Sequence, residues 1–105
     1  MERRKEPRIE IDQEVTVTLL GQPDSTPFKA VAIDISDSGM RILSQHPVRY
    51  QAAVKVEVHD LLLLGEVIRV EASDRGNILA LKLWRSLDPS SVRQMRRGSR
   101  PRQTA

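Results

Sequence analysis

Hydrophobic and polar positions alternate with a period of two along much of the chain, the spacing of strands with one buried face. From Glu14 to Leu20, Val15, Val17 and Leu19 fall on one face and Thr16 and Thr18 on the other, which predicts a first strand. The stretch from Gly21 to Pro27 is turn-forming throughout. A second strand is predicted from about Phe28 to Ile35, with Val31, Ile33 and Ile35 sharing a face, and Ser36-Asp37-Ser38-Gly39 ends it. A third follows at once, from Gly39 to Leu43. In the fourth, Val54, Val56 and Val58 alternate with Lys55 and Glu57. After His59-Asp60 a fifth runs from Leu61 to Val70, so strands four and five read as a hairpin. Leu62 and Leu64 are in phase with Glu66, which predicts a change of apolar face near Gly65, as at a bulge or barrel corner. Residues Ala72 to Asn77 read as a turn, and Ile78 to Trp84 as a sixth strand, apolar on both faces apart from Lys82.

Six short strands joined by brief turns imply an all-β fold, an antiparallel barrel or sandwich. Beyond them, Asp88-Pro89-Ser90-Ser91 is a helix start, with Asp88 able to cap free amides and Pro89 suited to the first turn. Val92 and Met95 share one face of a short helix over about 88–97 that could lie on the barrel. Residues 98–105 hold no apolar run and are expected to be disordered. A length of 105 residues suits one domain. The absence of cysteine excludes disulfides, thiolate metal sites and cysteine nucleophiles. No apolar run exceeds Leu61–Leu64, and Met1-Glu2-Arg3-Arg4-Lys5 opens no signal peptide, so a soluble cytoplasmic protein without a membrane span is expected.

The net charge of +3 is unevenly distributed. Residues 9–91 carry 8 basic against 12 acidic side chains, whereas residues 92–105 carry five arginines and no acid. Residues 1–8 hold Arg3, Arg4, Lys5 and Arg8 against Glu2 and Glu6. Basic ends on an acidic body suggest an anionic partner met by terminal segments, or simply solubilising tails.

Two constellations carry chemistry. In Arg4-Lys5-Glu6-Pro7-Arg8 the arginines stand at an R-x-x-x-R spacing, and Pro7 favours an extended or turning backbone that lets both swing round one ligand. Guanidinium groups offer paired donors matched to phosphate oxygens and to the Hoogsteen edge of guanine, and they stack on base planes. The second is Asp34-Ile35-Ser36-Asp37-Ser38-Gly39, a D-x-S-x-x-G pattern. Strand alternation points Asp34 and Ser36 the same way, opposite Ile33 and Ile35 and outside the core. Asp34 could accept from the donors on guanine's Watson–Crick edge, and Ser36 could bond base or phosphate. Gly39 would permit close backbone approach or a positive φ. A plain β-turn uses the same residue types.

Taken together, with Arg8 and Asp34 26 residues apart, these motifs resemble the signature of the PilZ family, R-x-x-x-R followed by [D/N]-x-S-x-x-G. The resemblance covers most of the chain. It implies a six-stranded antiparallel β-barrel of PilZ type with a short C-terminal α-helix. The expected organisation is an arginine-rich ligand loop at 1–8, a barrel with its helix over 9–97 and a basic tail at 98–105. It also implies a receptor for cyclic di-GMP, gripped by Arg4 and Arg8 and walled by Asp34, Ser36 and Gly39. Arg3, directly before the motif, implies a site for two stacked cyclic di-GMP molecules. Binding in the family folds the arginine loop over the barrel, which implies a switch read by a downstream protein partner.

No catalytic constellation accompanies these residues. His46 lies beside Pro47 and His59 at a hairpin turn, both read as surface histidines, and neither belongs to a metal-ligand or Ser/His/Asp spacing. Asp34 and Asp37, three residues apart on a bent chain, define no acid–base pair. Neither an enzyme nor a cofactor is expected. Tyr50 and Trp84 read as packing residues. Two alternatives remain: a small barrel that binds nucleic acid through its basic tails, disfavoured by only three aromatics and an acidic middle, and a PilZ-like adaptor that binds no nucleotide.

Overall fold

The computed structural model describes residues 8–23 and 25–85. The segment 1–7 with Arg3 and Arg4, the helix expected over about 88–97 and the tail at 98–105 lie outside the described residues. Six strands form the described fold: β1 (Ile9–Leu19), β2 (Phe28–Ile35), β3 (Gly39–Ser44), β4 (Ala53–Val58), β5 (Leu61–Ser73) and β6 (Gly76–Leu83). All neighbouring pairs are antiparallel. They close into a barrel in the order β1-β2-β3-β6-β5-β4, with β4 returning to β1. Closure gives each strand two hydrogen-bonded neighbours, which removes the open edge strand that can template aggregation.

The interior is filled by one residue in two from each strand. Val15 and Val17 of β1, Met40 and Ile42 of β3, Val54, Val56 and Val58 of β4, and Leu79, Leu81 and Leu83 of β6 are all buried. The β-branched valines of β1 and β4 fit the pleated surface, which explains why these stretches form strands. The β4–β5 hairpin occurs as expected, pairing Val58 with Leu61 across His59-Asp60.

Three expectations of phase are corrected. In β2 the buried apolar residues are Ala30, Ala32 and Ile35, whereas Val31 and Ile33 are only half-buried. The cause is a bulge: Ala32 pairs with Ile42 but Asp34 pairs with Arg41, so Ile33 is an extra residue and the strand changes face there. Val31, Ile33 and Leu43 consequently line a shallow outer groove with Ile11 and Ile78. In β5 no change of face occurs at Gly65. Leu63, Gly65 and Val67 all point inward, and Leu62 and Leu64 are exposed on the outside. The register shift falls instead between Val67 and Arg69. Gly65 is needed for another reason: a Cβ there would collide with the Lys82 carbonyl and press on Leu83. Third, Tyr50 and Trp84 do not pack in the core but are 63% and 53% exposed.

The β5–β6 connection is also tighter than expected. Pairing continues through Ala72 with Asn77 and Ser73 with Gly76, leaving Asp74-Arg75 as a two-residue turn. Backbone ladders need no apolar side chains, so polar residues 72–77 hid strand from the pattern. His46 is exposed but stacks on Phe28, ring centroids 4.3 Å apart.

Candidate functional site

Asp34 is the centre of the site. The bulge at Ile33 places it on the outer face, where its cross-strand neighbours are Glu10 of β1 and Arg41 of β3. Arg41 stands outward because it alternates with the buried Met40 and Ile42. The sequence placed Asp34 and Ser36 outside the core, and both are nevertheless buried, at 3% and 7% exposure. For Asp34 the cover is two arginines. Arg8 Nη1 donates to Asp34 Oδ1 at 2.9 Å. Arg41 donates to Oδ2 through both Nε at 2.9 Å and Nη2 at 2.6 Å. A carboxylate withdrawn from water is tolerated only with such charge-assisted partners.

The three bonds differ in permanence. Arg41 is held at two nitrogens, and the hydrogen bonds to Asp34 raise its pKa above the usual arginine value, with the nearby charges of Asp34 and Glu71 adding to the effect against the opposing effect of partial burial. It is a fixed cation of the site. Arg8 contacts Asp34 through one nitrogen and leaves about half its side chain in water. It can therefore exchange Asp34 for another anion without stranding the carboxylate, which keeps Arg41.

Ser36 and Gly39 bound the site at the β2–β3 turn. The Ser36 amide donates to the Gly39 carbonyl at 2.9 Å, and the Leu83 amide donates to the Ser38 carbonyl at 2.8 Å, which ties the turn to β6. Gly39 does not adopt a positive φ. Its role is close approach, because a Cβ would lie 3.0 Å from the Leu81 carbonyl oxygen. Of the six residues predicted from the sequence, Arg8, Asp34, Ser36 and Gly39 thus gather at one end of the β1–β2–β3 face, and Arg3 and Arg4 lie outside the described residues. Arg41 was missed, although a signal existed: reflecting Asp34 through the centre of the 36–39 turn lands on Arg41.

Beside Arg8 and Arg41 opens a groove of about 410 Å³, lined also by Ile68, Arg69, Glu71, Ile78 and Ala80. That size lies within the range of about 300–1,000 Å³ common for small-molecule clefts. No group of three or more His, Cys, Asp or Glu side chains is arranged for a metal among the described residues.

The described fold is a closed antiparallel β-barrel with an arginine-covered carboxylate beside a groove lined by three arginines. The PilZ domain family model matches residues 2–100, and the chain belongs to the PilZ domain family. PilZ domains are cyclic di-GMP receptor and adaptor domains rather than enzymes. Among solved structures, the chain is similar to the Bacillus subtilis inhibitor of motility MotI/DgrA, with a TM-score of 0.60 and 14% identity over 92% of this chain. It spans about half of that protein's length, 49%. It is also similar to the PilZ domain of YcgR from Escherichia coli, solved with c-di-GMP, with a TM-score of 0.54 and 18% identity over 93% of this chain and 89% of that one. At these identities the likeness is one of fold. Comparison with curated proteins by sequence gives no significant match. No described helix is long and apolar enough to cross a membrane.

Proposed function

We propose that this domain is a cyclic di-GMP receptor, with Arg4, Arg8, Asp34, Ser36 and Gly39 as the binding residues and Arg3 extending the site toward a second stacked molecule. One observation carries the proposal. The two halves of the motif, 26 residues apart in sequence, meet in a single ion pair between Arg8 and Asp34 at 2.9 Å. The ligand brings two phosphodiesters and two guanines, so it offers acceptors to the arginines and N–H donors to Asp34. Binding would draw Arg8 from Asp34 onto the ligand, leave Arg41 holding the carboxylate, and reposition the N-terminal segment for a protein partner. The domain catalyses nothing and acts in the cytoplasm through that change of surface.

Calorimetric titration of cyclic di-GMP into the purified protein near physiological salt tests this, with Arg8→Ala and Asp34→Ala alongside. Saturable binding lost in both variants is expected, and the same titration counts one or two molecules per chain. A folded wild type that takes up no cyclic di-GMP would overturn the proposal.

A further inference from the structure

Resting on the site just proposed, we infer that Arg69 of β5 is a further ligand-binding residue and forms, across a floor made by Ala80, an anion-holding wall opposite Arg8 and Arg41. Neither R-x-x-x-R nor D-x-S-x-x-G includes it. The inference begins with register. Asp34 pairs with Arg41, Arg41 with Ala80, and Ala80 with Arg69. These four residues form one row across β2, β3, β6 and β5, on the outer face because Ala80 alternates with the buried Leu79 and Leu81.

Three features make that row a site. Strands in a sheet are about 4.8 Å apart, so the backbones carrying Arg41 and Arg69 are roughly 10 Å apart with one strand between them. The residue on that strand is alanine, too short to fill the gap, and the groove of about 410 Å³ lies there, lined by both arginines. Arg69 reaches this row only because β5 takes in an extra residue, Ile68, between Val67 and Arg69.

Charge completes the case. Arg8 and Arg41 both spend hydrogen bonds on Asp34. Arg69 is exposed, and its side chain makes no hydrogen bond or ion pair with another described residue. An anion can therefore meet its guanidinium without any internal bond being broken. Three arginines line the groove, Arg8 and Arg41 at one side and Arg69 at the other, against Glu71 as its one acid. A ligand with two phosphodiesters can be held at both walls, one phosphate by Arg8 and Arg41 and one by Arg69.

The test is titration of cyclic di-GMP into the wild type, Arg69→Ala, Arg69→Lys and Ala80→Leu, with melting of each unliganded protein as the fold control. Arg69→Ala is expected to weaken binding about tenfold, equivalent to about 1.4 kcal/mol. Arg69→Lys should recover part of the loss, since it keeps the charge but not the planar fork. Ala80→Leu, which fills the floor, should weaken binding with the arginines intact. Wild-type binding with Arg69→Ala within twofold of it would overturn the role of Arg69 and leave the receptor proposal standing, whatever Ala80→Leu does. A wild type that binds no cyclic di-GMP would overturn both.

Discussion

Removing the contact between Asp34 and Arg41 should cost the unliganded fold a measurable amount, and the structure sets how much. Arg41 supplies two of the three hydrogen bonds on Asp34. A fully buried pair broken at one partner costs about 3–5 kcal/mol, and a fully exposed one contributes about 0.2–1 kcal/mol. This pair lies between those limits, because the Asp34 side chain is 4% exposed and that of Arg41 is 40% exposed. Solvent screening at Arg41 requires a discount toward the exposed limit, and a coupling of about 1.5 kcal/mol follows. The assay is a double-mutant cycle of Asp34→Ala and Arg41→Ala by urea denaturation without ligand. Both single variants should also melt lower, Asp34→Ala by more than Arg41→Ala because it loses the Arg8 hydrogen bond as well. The m-value should not change, since both side chains lie on the outside of an intact barrel. A coupling below about 0.3 kcal/mol would refute the reasoning, for it would show that Asp34 is solvated as cheaply as by its arginines.

Three further outcomes follow from the barrel. Leu63→Ala should destabilise by about 2–5 kcal/mol, while Leu62→Ala and Leu64→Ala stay within about 0.5 kcal/mol; chemical denaturation of the three reads the phase of β5 directly. Gly65→Ala should cost about 2–3 kcal/mol, because the added Cβ meets the Lys82 backbone and not a yielding side chain, and a thermal melt close to wild type would contradict that crowding. Ser44, with no exposed surface, holds the turn after β3 by donating from Oγ to the His46 carbonyl at 2.7 Å and accepting from the His46 amide at 3.0 Å. Ser44→Ala should therefore cost about 1–2 kcal/mol in the same assay.

The order and character of the strands were legible in the sequence because alternation of β-branched and polar residues is a local property. Val54, Val56 and Val58 needed no partner to declare an inward face, and Arg8, Asp34, Ser36 and Gly39 were selected from their chemistry and from the resemblance of their spacing to the family signature. Arg41 was within reach of the same reasoning, since a four-residue turn fixes which positions face each other on either side. Alternation fails where the ladder takes in an extra residue. The bulge at Ile33 turned the apolar Val31 outward and the small Ala30 and Ala32 inward, and neither change leaves a mark in composition. Leu62 and Leu64 misled for the opposite reason: apolar side chains outside a barrel look like core until the closure of the sheet is known.

By itself, then, the sequence determined a small antiparallel β fold, its turns, and the two motifs that resemble the PilZ signature, all of which depend on neighbours a few positions away or on a recurrent spacing. Tertiary structure alone decided that β6 lies between β3 and β5, and hence that Arg41 and Arg69 face each other over Ala80. Strand neighbours are set by how the closed sheet packs its interior and by where bulges shift its register, and those are properties of the whole barrel that no single segment carries.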